Sequence, residues 1–522
     1  MGTWQDGYVT DIPYTAGFYR ELSPAYLHLL AILVGVRPPA VVDRQFAYCE
    51  LGCGRGLGPL LLAATNPLGR FHGYDFNAAQ MAKLRHLGAR AGLAKLHFGE
   101  RSFADLAAQS GAADAAPRFD LIVLHGVYSW VSAENRRHIA HFIRDRLEPG
   151  GMVYVSYNCM PGWAAFTPVQ RLLRELVVRR RGRSDENAVA AVQFVDHLAA
   201  RGARYFKADA SIGRYLEHLG ARDGSYLAHE YLNEHWDALY HLDVKREMNE
   251  AGLDYVGSAA ASENIPALSA SPEIAAMFAG ADPGMAETIK DFAVNRRFRR
   301  DLYVHEPVQL TPPQFVAALA AIRFTLTVDP QRATTTLDTS AGMLTADEAV
   351  IEPMLERLKQ GSVGFAELAS LPAFAEVPPL QIAQGLALLV ESAQAHPMLE
   401  EDGGAARSAS LALNDLLVEE AQGGDDSMRF LAAPALGSGV FVTHSEQLLL
   451  SAMREVGSDS VEAIRDSTWA QFKAQDKRIV KDGRPLDGDA DNLAELEPRV
   501  RSFLEHRLPL LRRLGVVAGP KP

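Results

Sequence analysis

The chain has 522 residues, of which 48% are hydrophobic and 22% charged, and its net charge is -12 at pH 7. This length exceeds what one hydrophobic core organises, so two to four domains are expected. The acidic balance argues against general nucleic-acid binding. Three cysteines without paired spacing argue against a disulfide framework and a structural zinc site, and they indicate a reducing compartment.

The N-terminal residues do not form a secretory leader pattern. The longest apolar run, LHLLAILVGV, is shorter than the roughly 20 residues that span a bilayer. We therefore expect a cytoplasmic protein without membrane insertion.

The first third of the chain alternates between strand and helix patterns. Strands are predicted at FAYCEL, RFHGYD, KLHF, RFDLIVLHG and MVYVSYN. Helices are predicted at GPLLLAATN, at NAAQMAKLRHLGARAG with Asn77 as N-cap, and at SAENRRHIAHFIRDRLEPGG between Ser132 and a stop at Gly150 and Gly151. This alternation predicts an α/β fold with a doubly wound sheet, in which ligands bind at the carboxyl ends of the strands.

A glycine run follows the first predicted strand, with glycine at every second position from Gly52 to Gly58. Such a run costs conformational entropy, so it indicates that backbone N–H groups must approach a ligand closely. Leu57 stands where the dinucleotide-binding fingerprint needs a third glycine, and the phosphate loop of nucleotide hydrolases is absent. The pattern left after these two exclusions runs from Glu50 to Gly56: an acidic residue, an apolar residue and then G-x-G-x-G.

This motif resembles that of class I S-adenosylmethionine (SAM)-dependent methyltransferases, over about residues 46 to 157. The resemblance implies a Rossmann-like fold, SAM as cofactor, Asp75 on the two ribose hydroxyls and Phe76 against the adenine. Ser102 and Phe103 stand where the family usually has an acidic residue near the adenine amino group. The expected cofactor-binding residues are Glu50, Gly52, Gly54, Gly56, Asp75, Phe76, Ser102, Phe103, His125 and Gly126.

The stretch LHGVYSWV after the fourth strand lacks the [DN]-P-P-[FY] motif of enzymes that methylate base amines or glutamine amides. His125, Tyr128 and Trp130 are expected to face the transferred methyl group, with Tyr128 orienting the acceptor nitrogen. Trp163, in the PGW turn, is expected to roof the pocket. Aromatic faces suit a cationic amine, although buried core aromatics are the alternative interpretation.

Several longer segments of the sequence resemble a more specific family. GYVTDIPYTAGFYRELSPAYL, HGVYSWV, VYVSYNCMPGW, YLAHEYLNEHW and ETIKDFAVNRRFRRDLYV are similar to bacterial methyltransferases with a methyltransferase regulatory domain. That family includes rickettsial lysine methyltransferases that modify outer-membrane protein. The resemblance implies a cytoplasmic enzyme that methylates lysine in a protein substrate, such as an outer-membrane protein before export, and it leaves a homodimer open. A small-molecule or lipid methyltransferase and a non-catalytic SAM-binding scaffold stay open as alternatives.

Three domains are expected: a SAM-binding core over 1–163, a mainly helical regulatory or substrate-cleft region over 164–310, and an α-rich, winged-helix-like region over 311–522. HLDVKREMNEAGLDYVGSA and FRRDLYVH are predicted to add two strands to the sheet, which would make 164–240 an insertion capping the cleft. The insertion would then bring to the acceptor a set of residues in YLAHEYLNEHW, namely His229, Glu230, Asn233 and Trp236.

The expected catalytic residues are Tyr128, Trp130, Trp163, His229 and Glu230. The basic runs RRRGR and NRRFRR are interpreted as solvated or salt-bridged faces. No metal site is predicted, because His138 and His141 lack a third ligand.

Overall fold

A computed structural model describes residues 7–12, 17–110, 117–278, 280–399 and 404–519. Its N-terminal part consists of α1 (Pro24–Leu33), β1 (Phe46–Leu51), α2 (Leu57–Thr65), β2 (Gly69–Asp75), α3 (Ala78–Arg90), β3 (Leu96–Glu100), α4 (Phe103–Ser110), β4 (Phe119–Leu124), α5 (Ala133–Arg146) and β5 (Leu147–Asn158). All six residues of β1 are buried, as expected for a strand with both faces covered by helices. The predicted alternation of strands and helices is confirmed.

A helical insertion follows β5 and returns to the same sheet. Its helices are α6 (Thr167–Val177), α7 (Ser184–Ala200), α8 (Arg204–Ala208), α9 (Ala210–Gly220) and α10 (Gly224–Tyr231). After it come α11 (His241–Glu250), β6 (Leu253–Ser258), α12 (Pro266–Ser269), α13 (Pro272–Phe278), α14 (Pro283–Ala293) and β7 (Phe298–His305). We call the residues 160–238 the cap.

Seven strands form the central sheet, in the order β3-β2-β1-β4-β5-β7-β6. Strands β1 to β5 are parallel to their neighbours, whereas β7 is antiparallel to both β5 and β6. The two strands predicted from HLDVKREMNEAGLDYVGSA and FRRDLYVH therefore do complete the sheet. The carboxyl ends of β1, β2 and β4 meet at one edge, where ligands of open α/β sheets bind.

The two ends of the cap are held together. The Leu239 N–H donates to the Asn158 carbonyl at 2.8 Å, and the Met160 N–H donates to the Leu239 carbonyl at 3.0 Å. Inside, the cap has its own apolar cluster, which includes Trp163, Phe166 and Trp236. The cap is thus an insertion with adjacent entry and exit points.

One predicted helix end was wrong. We expected the helix after Ser132 to stop at Gly150 and Gly151, but α5 ends at Arg146 and β5 begins at Leu147. Leu147 is buried and pairs with Phe119 of β4, so sheet pairing begins before the glycines. Ser132 does cap α5 by accepting from the Asn135 N–H, whereas Asn77 precedes α3 without a side-chain capping bond.

The rest of the chain is rich in helices, with four small sheets. Its elements are α15 (Pro312–Ala320), β8 (Arg323–Leu326), β9 (Thr336–Thr339), β10 (Gly342–Thr345), α16 (Glu348–Lys359), β11 (Val363–Gly364), α17 (Phe365–Ala369), α18 (Pro379–Glu391), β12 (Ala395–Met398), α19 (Ala405–Gln422), β13 (Phe430–Ala433), β14 (Ser438–Phe441), α20 (His444–Val456), α21 (Val461–Ala474), β15 (Val480–Lys481), β16 (Arg484–Pro485), α22 (Asp489–Ser502) and α23 (Leu508–Arg513). The three domain boundaries and the winged-helix character stay predictions.

The C-terminal region packs on α2 and α3, the first two helices after the glycine-rich loop. Helix α19 contacts α2 and α3, and β13 and β14 also contact α2. The Asn66 amide after α2 donates to the Gly437 carbonyl at 2.9 Å. Among the described residues, no helix has the length and apolarity needed to cross a bilayer.

Candidate functional site

The glycine run has a steric reason at two positions. Gly52 (φ +68°) and Gly56 (φ +86°) both lie in the left-handed region, which other residues adopt only with strain. A Cβ on Gly52 would lie 2.5 Å from Cγ2 of Val127, and one on Gly56 would lie 2.5 Å from Cε1 of Phe98. The loop therefore passes so close to Phe98 of β3 and to Val127 in the turn after β4 that side chains cannot fit at these two positions.

Asp75, the last residue of β2, holds this loop. Its Oδ2 accepts from the Gly54 N–H at 2.8 Å, and its Oδ1 accepts from the Asn77 N–H at 3.0 Å. Burial raises the pKa of the Asp75 carboxyl to about 6, although these backbone hydrogen bonds oppose the shift. The carboxylate thus stands beside the backbone amides of the loop, at the edge of a cavity.

That cavity has a volume of about 690 Å³ and lies at the carboxyl ends of β1, β2 and β4. Most of the predicted cofactor-binding residues surround it, together with Trp130. Its lining residues are Tyr8, Gly52, Gly54, Asp75, Phe76, Arg101, Ser102, Phe103, His125, Gly126, Val127, Trp130 and Val131. The structure therefore brings together residues that come from five separate segments of the sequence.

A second cavity, of about 490 Å³, lies on the other side of the glycine-rich loop and includes Glu50, Gly56 and Tyr19. Gly52, Gly54 and His125 line both cavities. Glu50 is buried and accepts from the Tyr48 hydroxyl at 3.3 Å, and burial raises its pKa to about 8. Together the two cavities offer an elongated ligand a path along the loop.

Ser102 lines the first cavity, but its hydroxyl is already engaged. It donates to Asp105 Oδ2 at 2.7 Å and accepts from the Asp105 N–H at 3.0 Å. These bonds cap the start of α4. The expected contact between Ser102 and an adenine amino group therefore competes with this cap, whereas the neighbouring Phe103 simply provides an apolar wall.

His125 is part of a stack between the two cavities. The Tyr19 ring lies against it with a centroid distance of 3.6 Å, and the Tyr154 hydroxyl is 2.9 Å from its Nδ1. Burial lowers the pKa of His125 to about 4, so the imidazole is neutral at physiological pH. The next residue, Gly126, donates its N–H to the Ser156 hydroxyl at 2.9 Å.

The structure does not bring Tyr128 to the cavity, contrary to the expectation that it orients the acceptor. Its side chain is fully buried, and its hydroxyl donates to Glu247 Oε2 at 2.5 Å. Arg136 also contacts Glu247, at 3.4 Å. Tyr128 thus connects the turn after β4 to α11, and it does not line the first cavity.

Trp163 does not roof the cavity either. Its indole N–H donates to the Arg297 carbonyl at 2.7 Å, and its ring packs edge-on against Phe166, Tyr215 and Trp236. Trp236 itself donates its indole N–H to the Glu230 carbonyl at 2.9 Å. Both tryptophans belong to the apolar core of the cap, which for Trp163 is the alternative interpretation given from the sequence.

The described lining of the cavity contains no residue of YLAHEYLNEHW, and the segment approaches the cavity only through Tyr8, an N-terminal residue that the sequence interpretation missed. His229 packs against Tyr8 with a centroid distance of 5.7 Å, and Tyr8 packs edge-on against Phe76 at 5.8 Å. Burial raises the pKa of Glu230 to about 8. Asn233 accepts from the Val9 N–H at 3.1 Å and so holds the tyrosine segment rather than facing an acceptor.

This donor set fits a nucleoside with an amino-acid tail. The glycine cradle leaves backbone amides close to the loop, and Asp75 supplies two carboxylate oxygens at the cavity edge, a typical arrangement for two neighbouring ribose hydroxyls. Phe76, Phe103 and Val131 offer apolar walls for a purine. Within the described parts of the chain, no group of three or more His, Cys, Asp or Glu side chains could hold a metal ion.

Comparisons with known proteins agree with this arrangement. The family model described as "Methyltransferase domain" matches residues 49–153, and "Predicted methyltransferase regulatory domain" matches residues 223–305. The chain is 35% identical over 520 residues to the uncharacterized protein sll1526 of Synechocystis sp., covering 98% of this chain and 100% of that protein. It is 30% identical over 174 residues to trans-aconitate 2-methyltransferase of Streptomyces coelicolor, covering 32% of this chain and 51% of the enzyme.

Among solved structures, PKMT2 from Rickettsia typhi in complex with AdoHcy matches with a TM-score of 0.68 at 18% identity. The match covers 97% of this chain and 99% of that protein, so the two share one fold from end to end. The cofactor is S-adenosylmethionine. The chain therefore belongs, with sll1526, to the family of class I SAM-dependent methyltransferases that carry a methyltransferase regulatory domain.

Proposed function

We propose that this methyltransferase transfers the methyl group to lysine side chains of a protein substrate. The observation that carries the proposal is the position of Glu230, a partly buried carboxyl on α10 that lies among tyrosines and within electrostatic range of Tyr8, which lines the cofactor cavity. Burial raises the pKa of Tyr8 and of Tyr19, and the nearby charge of Glu230 raises each further. The same two influences act on three tyrosines of the cap, namely Tyr215, Tyr226 and Tyr231.

A carboxylate surrounded by aromatic rings suits an ammonium group. The carboxylate attracts the charge, and the ring faces contribute a cation–π interaction of about 0.5–2 kcal/mol. A lysine must lose a proton before it can attack, because its ammonium form has no lone pair. With a pKa of about 8, the Glu230 carboxyl is mostly neutral at pH 7, and it can accept that proton once it ionises as the pH approaches 8.

The cofactor supplies an electrophilic methyl group on a sulfonium. The protein's own part is to hold the acceptor nitrogen in line and to remove its proton, and fixing two reactants contributes about 7–11 kcal/mol. We propose that Asp75 binds the ribose, Phe76 and Phe103 contact the adenine, and Glu50 lies toward the amino-acid end. Trp130 then forms the wall between cofactor and acceptor.

The substrate proposal is tested with methyl-labelled SAM and a cell-envelope extract, followed by mass spectrometry of the labelled peptides. We expect label on lysine side chains of protein. Glu230→Gln should lower kcat by roughly 100-fold, while Glu217→Gln, an exposed carboxyl of the cap helix α9, should leave kcat unchanged. Label confined to small molecules would instead favour an acceptor like that named for the Streptomyces enzyme.

The pH dependence separates Glu230 from the lysine itself. Because the neutral carboxyl cannot accept a proton, kcat should rise with pH as Glu230 ionises, with a limb at or below about pH 8. In Glu230→Gln that limb should move toward about 10.4, the pKa of free lysine. An unchanged limb in the variant would show that Glu230 is not the base.

A further inference from the structure

The segment Gly7–Ile12, which we call the N-terminal strap, is attached to the cap along its whole length. The Gly7 carbonyl accepts from the Glu234 N–H at 2.7 Å, and the Val9 N–H donates to Asn233 Oδ1 at 3.1 Å. Further along, Asp11 Oδ2 accepts from the Ser184 N–H at 2.8 Å. Ile12 is buried in the apolar cluster of the cap. The strap therefore has a defined register on the cap.

This register places the Tyr8 side chain in the cofactor cavity. The strap residues on either side of Tyr8 bond to the cap, and the Tyr8 ring lies between Phe76, which follows β2, and His229 of the cap. Its hydroxyl makes no hydrogen bond to any residue that the structure describes, although it lies within electrostatic range of Asp75 and Glu230. A phenol hydroxyl that lines a cavity in this way has a donor left for a ligand.

We propose that the strap is part of the cofactor site, with the Tyr8 ring covering the nucleoside and its hydroxyl donating to the cofactor or to the Asp75 carboxylate that holds it. Asp75 and Phe76 line the cavity from the sheet, and Tyr8 lines it from the cap. The cofactor would then be enclosed only when sheet, strap and cap are in contact. This proposal does not depend on which acceptor is methylated, because it concerns cofactor affinity alone.

Calorimetric titration with SAM tests the side chain. Tyr8→Ala removes the ring and should weaken binding by about tenfold or more, since burial of a ring of this size is lost. Tyr8→Phe keeps the ring and should weaken binding by roughly three- to tenfold, as expected for one hydrogen bond. The control is Tyr240→Ala, an exposed tyrosine before α11, which should leave the affinity unchanged. Wild-type affinity in Tyr8→Ala would overturn the proposal.

A second variant tests the strap without altering any cavity side chain. Gly7 has φ +73°, and a Cβ there would lie 2.3 Å from Cβ of Glu234, so Gly7→Ala should lift the strap off the cap. We expect its SAM affinity to fall as in Tyr8→Ala, and the added change Glu234→Gly to recover part of it. Gly457→Ala, also at positive φ but with open space around it, controls for backbone strain. Unchanged affinity in Gly7→Ala would contradict the role of the strap.

Hydrogen exchange of the wild-type enzyme gives a readout that does not involve turnover. Saturation with SAM should slow exchange at the amides of Val9 and Glu234. These two amides donate the hydrogen bonds that attach the strap to the cap on either side of Tyr8. The Gly92 amide, in the turn after α3, serves as an internal reference whose exchange should not change. Equal exchange at Val9 and Glu234 with and without SAM would overturn the proposal.

Discussion

Asp75 is the residue on which we expect the cofactor site to depend most. It accepts hydrogen bonds from Gly54 and Asn77, so it shapes the glycine-rich loop in addition to offering oxygens to a ribose. Ser102 lines the same cavity, but its hydroxyl is engaged with Asp105. The two residues should therefore respond differently to removal of their polar groups.

We expect Asp75→Ala to weaken SAM binding by roughly 100-fold or more, since hydrogen bonds to a charged group contribute about 1.5–3 kcal/mol each. Ser102→Ala should change the affinity by less than about threefold and instead lower stability by about 1 kcal/mol, the usual value of an N-cap. Calorimetric titration and thermal unfolding measure the two effects. A large loss of affinity in Ser102→Ala would restore the adenine contact expected from the sequence.

Most of the residues that line the first cavity could be predicted from the sequence, because they follow directly on strands in a local motif. Tyr128 was misplaced because the direction of its side chain is set by Glu247, 119 residues away. Tyr8 was missed for a similar reason. Nothing in the local sequence shows that its segment will pair with Asn233 and Glu234, more than 200 residues later in the chain.

At the scale of elements, the connection between β1 and α2 is the most constrained. Gly52 and Gly92 have nearly the same backbone conformation, with φ of +68° and +72°. Their surroundings differ, because a Cβ at Gly52 meets Val127 at 2.5 Å, whereas nothing lies within 4 Å of one at Gly92. Comparing the two positions therefore separates the effect of a close neighbouring side chain from the effect of a positive φ.

Gly52→Ala should abolish measurable SAM binding, because the loop must move away from β4 to accommodate the new methyl group. Gly92→Ala should retain wild-type affinity and lose only about 1–2 kcal/mol of stability, the cost of left-handed backbone for a residue with Cβ. Titration calorimetry and urea unfolding distinguish these outcomes. Equal losses of affinity would mean that strain alone, and not the contact with Val127, explains the glycine.

Strands and helices with a clear hydrophobic period were predicted correctly. They include β6 and β7, although the whole cap separates these two strands from β5 in the chain. The error at the start of β5 has a physical cause. Gly150 and Gly151 are typical of a helix stop, but pairing of Leu147 with Phe119 ends the helix earlier. Local glycine signals cannot report pairing with another strand.

At the scale of the whole molecule, the C-terminal region contacts the cofactor loop itself. Arg55, between Gly54 and Gly56, donates to the Ser427 hydroxyl at 2.9 Å. Asp425 accepts from Lys83 of α3 at 2.6 Å and lies 3.9 Å from Arg55. The short connection after α19 therefore contacts both the glycine-rich loop, which follows β1, and α3, which follows β2.

Asp425→Ala should raise the Kd for SAM about fivefold, corresponding to about 1 kcal/mol for a partly exposed charge pair. The matched control is Asp426→Ala, since the neighbouring aspartate pairs with Lys477 inside the C-terminal region. Calorimetric titration of both variants provides the comparison. Equal affinities for the two would show that the C-terminal region does not influence the loop.

The cap enters and leaves the sheet at one point, where Leu239 bonds to Asn158 and Met160. An insertion anchored by such neighbouring ends can be exchanged as a cassette, since replacing it leaves every strand pairing in place. We expect a chimaera that takes the cap of sll1526 together with its N-terminal strap to keep SAM binding and to acquire the acceptor preference of the donor. In such an exchange the cap and strap would form the replaceable unit of the molecule, and the seven-stranded sheet its constant unit.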